Sequence, residues 1–280
     1  MSGRPAKTGP DFVIIGAMKS GTTSLFRWLK AHSECDLCPI KETHFFSRNW
    51  DRGLSWYEGL FCEIEADKVT GEASPSYTHP DNSELVAERL YSTFPNTRIL
   101  YVIRNPIDRM RSEFRHEVQR NRENRDFDVA LLSEDRPYWR RSMYWSCVNP
   151  FVSRFDRQNV KVIKFEDLVS EEDGAWQEVL EFLGLGRERR PETIINKTTG
   201  KAGFRPLTRV FYSKGLGRLA DMVPSGIRKS LRPLFFTQSD SYFQLANTCR
   251  RQVPDHIEAK VWEDVGELEQ WLDRGQLWQR

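Results

Sequence analysis

The chain predicts an α/β fold in which a central parallel sheet is flanked by helices to give three layers. Two stretches carry that expectation and the length agrees with it. Phe12 to Ile15 is an unbroken apolar run, the pattern of a strand covered on both faces. Gly16 ends the run, and after a Gly/Ser/Thr-rich loop Leu25, Trp28 and Leu29 recur at helical spacing. Ile99 to Ile103 repeats the pattern, with Pro106 placed where a helix can begin. A chain of 280 residues suits one large α/β domain, or one domain with a smaller appendage.

Composition narrows the classes. A net charge of +2 argues against wholesale nucleic-acid binding, so any basic patch must be local. No apolar run approaches the roughly 20 residues that span a bilayer, and Met1 to Pro10 has no signal-peptide core. The expectation is a soluble, cytoplasmic enzyme, or a catalytic domain cut from a longer anchored protein. The five cysteines are odd in number and scattered, which favours free thiols. Cys35 and Cys38 form a Cys-x-x-Cys, but no second pair completes a zinc set.

Taken in order, the first chemistry lies between Asp11 and Leu29. Unpaired N–H groups at the helix start, the positive end of its dipole, the Lys19 ammonium and the hydroxyls of Thr22, Thr23 and Ser24 make an anion cradle. A nucleotide triphosphatase loop places its lysine after the second glycine, whereas here Lys19 precedes Gly21. The run Gly16-Ala-Met-Lys-Ser-Gly-Thr-Thr-Ser resembles the 5′-phosphosulfate loop of sulfotransferases that use 3′-phosphoadenosine 5′-phosphosulfate (PAPS). That resemblance implies donor contacts from Lys19, Ser20, Gly21, Thr22, Thr23 and Ser24.

Lys41-Glu42-Thr-His-Phe45-Phe46 is similar to the Lys-Glu-x-x-Phe-Phe element of carbohydrate sulfotransferases of the heparan sulfate type, in which the glutamate is the base. An acceptor hydroxyl attacking sulfur must shed its proton, and a positioned carboxylate can take it. Glu42 is therefore the candidate base. Gly71 to Pro80 reads as punctuation rich in turn formers after a short Lys68-Val69-Thr70 approach, and it resembles the family's Ser-Pro-x-Tyr element. Relatives carry a lysine just before that serine, where this chain has Ala73. Thr78-His79 is similar to the Thr-His of cytosolic sulfotransferases, which makes His79 the rival base.

Arg104-Asn-Pro106, then Arg109 and Ser112, resembles the family's 3′-phosphate signature, with Arg104 and Ser112 as the implied ligands. A guanidinium fork fits a dianionic phosphate and a serine hydroxyl adds a donor. A nucleoside-triphosphate enzyme would often end this strand in a Mg²⁺-ordering aspartate. The arginines between Arg115 and Arg125 read as a solvated face, and Tyr144 as a core residue, with an approach to the adenine side as the alternative. Trp176, Val179, Leu180, Phe182 and Leu183 mark a helix ending before Gly184. Lys201 falls where relatives close a basic glycine-containing loop over the nucleotide, and joins the cofactor-site candidates.

Together these motifs imply a three-layer, P-loop-like α/β fold with a C-terminal helical cap. The expected organisation is a flexible tail over 1–10 and a single domain over 11–280, divided into a PAPS-binding core (11–200) and a basic cap with C-terminal helices (201–280). The implied reaction is sulfuryl transfer from PAPS to a glycan or lipid-linked saccharide, with adenosine 3′,5′-bisphosphate as product and no metal required. Two other readings stay open: an ATP- and Mg²⁺-dependent kinase, and a nucleotide-binding regulator without turnover. Nine basic residues from Lys197 to Arg232, interleaved with apolar ones, make a stretch suited to an anionic membrane or an anionic glycan.

Overall fold

The computed structural model describes residues 7–135, 137–192 and 240–280. Four strands, β1 (Phe12–Gly16), β2 (Gly71–Ala73), β3 (Arg98–Ile103) and β4 (Val160–Lys164), form one sheet in the order β2-β1-β3-β4. Every pairing is parallel, with Val13 opposite both Glu72 and Ile99, and Ile103 opposite Lys164. Because all four strands run the same way, the loops that follow them emerge at one edge. That edge is the usual ligand position of open α/β sheets.

Alternation along the strands produces the three layers. Val13, Ile15, Ile99, Tyr101 and Ile103 face one way, into a core completed by α3 (Ser83–Thr93) and α6 (Tyr144–Val152) through Val86, Leu90, Val148 and Phe151. Phe12, Ile14, Leu100 and Val102 face the other, against α1 (Thr22–Ala31) and α8 (Gly174–Leu183) through Leu25, Trp28, Trp176 and Leu180. Both faces are apolar around the two central strands, so β1 and β3 read as continuous apolar runs. The helix expected to end before Gly184 does so, with Gly184 in the left-handed conformation. Strand β2 departs from expectation: the segment read as turn punctuation runs extended and buried from Gly71 to Ala73 beside β1.

Near the C-terminus, α9 (Asp240–Asn247) precedes α10 (Asp255–Leu272) in the chain, and α10 adds Trp262, Val265 and Leu268 to the first core. Its Asp264 carboxylate accepts the Trp145 and Ser146 N–H groups, both at 2.8 Å, and so satisfies orphan donors of the first turn of α6. Among the described residues no helix is long and apolar enough to cross a membrane. All five cysteines are free thiols.

The chain divides into two compact units: residues 1–109, 139–196 and 256–280 in the first, and 110–138 and 197–255 in the second. The division falls within α4 (Pro106–Gln119). In the second unit Phe114 meets Phe127 of α5 (Phe127–Leu131) and Tyr138 edge-on, at 5.2 and 6.2 Å. The arginines here are more than a solvated face. Arg125 forks onto buried Glu123 at 2.8 Å through both Nε and Nη2, and the Tyr138 hydroxyl donates to the same carboxylate at 2.9 Å. Burial works against ionisation of Glu123, but the Arg125 bonds outweigh it and hold the carboxyl down at about 2.

Candidate active site

The loop between β1 and α1 turns on two residues of positive φ, Lys19 at 72° and Gly21 at 91°. Gly21, not a hydroxyl residue, is the N-cap of α1, and among the described residues no side chain caps the first turn. Thr22, Thr23 and Ser24 therefore sit inside the helix, and its leading N–H groups are left without a side-chain cap. A Cβ at residue 21 would fall 2.3 Å from Phe165, so that ring needs a glycine there. At Gly16 a Cβ would lie 2.1 Å from Thr78 Oγ1, which donates to the Ile15 carbonyl at 3.2 Å. Thr78 thus packs directly against the end of β1.

Phe165 opens α7 (Phe165–Leu168), directly after β4. It also carries the Arg104 guanidinium, 5.4 Å above its ring. One aromatic ring therefore ties the loop after β1 to the residue after β3. The backbone of Arg104 is held by Tyr144, whose hydroxyl donates to the Arg104 carbonyl at 2.7 Å and accepts its N–H at 3.4 Å. Tyr144 is fully buried, as a core residue should be, yet its hydroxyl works at this edge.

Asn105 caps α4: its Oδ1 accepts the Ile107 and Asp108 N–H groups at 3.1 and 3.2 Å, with Pro106 at the first helical position. Its own N–H goes to Glu166 Oε1 at 2.9 Å. One turn into the helix, Arg109 is fully buried, donating to Ser142 Oγ at 2.5 Å and reaching the Met18 carbonyl of the loop at 3.5 Å. Ser112 follows on α4 and is buried. Lys201, with the basic stretch 197–234, lies outside the described residues.

The Glu42 segment is held to the sheet by β2, for the Ala73 N–H donates to the Lys41 carbonyl at 2.9 Å. Glu42 itself is exposed. Lys41 Nζ donates to its Oε1 at 2.6 Å, and His44 Nε2 lies 3.6 Å from its Oε2. His44 adopts a φ of 49° and shares a 2.7 Å hydrogen bond between Nδ1 and Ser76 Oγ. Burial holds the imidazole below its ordinary pKa, against the pull of Glu42. His79 sits on the loop after β2, where its Nδ1 accepts the Asp81 N–H at 3.3 Å.

Beneath this segment Glu72 is fully buried, with burial pushing its carboxyl above the usual range. Its Oε1 accepts hydrogen bonds from Tyr77 at 2.6 Å, Thr43 at 2.9 Å and Tyr57 at 3.3 Å, and Oε2 accepts Ser74 Oγ at 2.6 Å.

Sequence reasoning named Lys19, Glu42 and Arg104 but assigned no role to His44, Glu72, Arg109 or Phe165. Only the Arg-x-Pro-x-x-Arg spacing offered a signal, for Arg109. The other three depend on contacts between distant segments.

The chain is 26% identical over 258 residues to heparan sulfate glucosamine 3-O-sulfotransferase 6 of Mus musculus, covering 87% of this chain and 74% of that protein. It is 34% identical over 113 residues to the membrane-associated sulfotransferase kil1 of Dictyostelium discoideum, covering 39% of this chain and 23% of that one. The crystal structure of a sulfotransferase from Alicyclobacillus acidocaldarius superposes with a TM-score of 0.65 at 25% identity, over 95% of this chain and 97% of that one. Residues 9–203 match the sulfotransferase domain family, well over half of the chain, and the protein belongs to that family of enzymes.

Proposed function

We propose that this sulfotransferase takes PAPS as donor and passes its sulfuryl group in-line to a hydroxyl or amine of a carbohydrate or lipid-linked saccharide, releasing adenosine 3′,5′-bisphosphate. The observation that carries the donor reading is Phe165, whose ring excludes a side chain at Gly21 and underlies Arg104, so that two phosphate motifs share one floor. The residues present fit such a donor. The first turn of α1 has no side-chain cap among the described residues, and Ser20 lies buried just ahead of it. A phosphosulfate oxygen would satisfy the N–H groups of that turn.

In this reading Lys19 and the loop N–H groups, with Ser20 to Ser24, hold the 5′-phosphosulfate. Arg104, Ser112 and Lys201 serve the 3′-phosphate side. As the acceptor oxygen bonds to sulfur, the bond from sulfur to the leaving phosphate breaks, and Lys19 neutralises the charge that develops there. The acceptor proton goes to Glu42. Its exposure, with Lys41 at 2.6 Å and His44 at 3.6 Å, supports that role over His79, whose ring is engaged in its own turn. The saccharide acceptor is supported by the heparan sulfate enzyme among the relatives.

The test pairs binding with transfer. Adenosine 3′,5′-bisphosphate should bind more tightly than ATP by calorimetry, and ³⁵S from labelled PAPS should appear in heparan sulfate or in lipid-linked saccharides. Tight ATP binding that requires Mg²⁺, with no response to the bisphosphate, would sink the donor assignment.

A further inference from the structure

Glu72 is an ionisable group buried in the sheet, and among the described residues its hydrogen-bond partners include no cation. Its surroundings are hydroxyls and a backbone amide drawn from three separate segments. Tyr57 comes from α2 (Leu54–Glu58), Thr43 from the Lys41–Phe46 segment, and Ser74 and Tyr77 from the loop after β2. The Thr43 N–H adds a long contact to Oε2 at 3.4 Å. Burying a carboxylate is costly, and an apolar residue on β2 would pack against the same core at lower cost. A group kept at such expense beside a reactive segment invites a functional explanation.

The bonds radiating from Glu72 lead to the candidate base. Through Thr43 it grips the residue between Glu42 and His44. Through Ser74 it reaches His44, because the hydroxyl that donates to Glu72 at 2.6 Å also accepts the His44 N–H at 3.0 Å. His44 stands at φ 49°, a conformation that a non-glycine residue holds only when its surroundings impose it. From that backbone the imidazole bonds Ser76 by Nδ1 and turns Nε2 to Glu42.

We infer that Glu72 is a positioning residue for sulfuryl transfer, a buried carboxylate that sets the backbone between Glu42 and His44 through Thr43 and Ser74. This rests on Glu42 being the base, and the readouts below are chosen so that the two ideas fail separately.

Glu72→Gln replaces an acceptor by an amide that must present a donor to the same hydroxyls. Ser74→Ala is the milder change, since it cuts the link to His44 and leaves the carboxylate with Thr43, Tyr57 and Tyr77. Ser74→Thr keeps the hydroxyl. With heparan sulfate and labelled PAPS, kcat should fall about 100-fold in Glu72→Gln and about tenfold in Ser74→Ala, the scale expected of a misplaced reacting group. Ser74→Thr should restore most of it, and affinity for adenosine 3′,5′-bisphosphate should be unchanged throughout.

An acceptor-independent readout is the NMR titration of the His44 ring, one of five histidines. Glu42, Lys41 and Arg48 act on that ring, and burial holds its pKa down. In Ser74→Ala the ring should loosen and titrate closer to the ordinary histidine value. If Glu72→Gln does not fold, Ser74→Ala decides. A folded Ser74→Ala protein with wild-type turnover and an unmoved His44 titration overturns the inference. Equal loss of nucleotide affinity also overturns it, by making Glu72 a support of the whole fold. If Glu42→Gln keeps full turnover, the base assignment falls, and the His44 titration still decides the role of Glu72.

Discussion

Replacing Gly21 by alanine should damage the stability of the protein and its donor site together, and Gly184 supplies the control. Both residues lie in the left-handed region, Gly21 at φ 91°, ψ 10° and Gly184 at φ 67°, ψ 29°. For an L residue that conformation costs roughly 1–2 kcal/mol. At Gly184 the nearest groups to a new Cβ are guanidinium nitrogens of Arg98 at 3.9 Å, so the conformational cost is the whole effect. At Gly21 the new atom would fall 2.3 and 2.5 Å from Phe165 Cδ2 and Cε2, and the ring must move. Forced movement of that kind adds about 1–3 kcal/mol. At about 2–4 °C per kcal/mol, the unfolding midpoint should drop by roughly 5 °C for Gly184→Ala and roughly 10 °C for Gly21→Ala. Because Phe165 also underlies Arg104, only Gly21→Ala should weaken binding of adenosine 3′,5′-bisphosphate. Scanning calorimetry gives the first quantity and isothermal titration the second. Equal midpoints for the two variants, or unimpaired nucleotide binding in Gly21→Ala, would refute the role given to Phe165.

Glu42→Gln should lose about 10²–10⁴ in turnover while keeping nucleotide affinity, whereas His79→Ala should be mild; steady-state rates with heparan sulfate as acceptor measure both, and reversed results make His79 the base. Lys19→Ala should depress kcat strongly. Arg104→Ala should chiefly weaken binding of the 3′-phosphorylated nucleotide, and equal weakening toward a nucleotide lacking the 3′-phosphate would remove Arg104 from that site. Glu123 carries a pH prediction. Its carboxyl is held at about 2 in the folded chain against an ordinary 4.5, so its stabilising contribution is complete above the unfolded value and is lost as pH falls through the folded one. The stability difference between wild type and Glu123→Gln, from denaturant titrations, should be flat above about pH 5 and shrink toward pH 2; a difference that grows on acidification contradicts the Arg125 pairing.

Local pattern determined the frame of this protein. The runs Phe12–Ile15 and Ile99–Ile103, the Gly/Ser/Thr loop and Pro106 are short-range signals. They marked β1, β3 and the helices after them, and with them Lys19 and Arg104, because strand burial and helix starts leave their imprint on adjacent residues. What adjacent residues do not encode is how a charge is solvated by distant ones. The turn formers Gly71, Ser74, Pro75 and Ser76 made the Gly71–Ala73 strand read as a turn, and nothing local signalled that the carboxylate between them is buried. Only the fold brings Thr43, Tyr57, Ser74 and Tyr77 around it. Arg125 misled in the same way: it read as part of a solvated face, its pairing with buried Glu123 being invisible in a run of charges. The identity of the α1 cap was likewise a tertiary decision. Thr22, Thr23 and Ser24 all have capping side chains, but Phe165, more than 140 positions along the chain, occupies the space where only a glycine fits, and so places the helix start at Gly21.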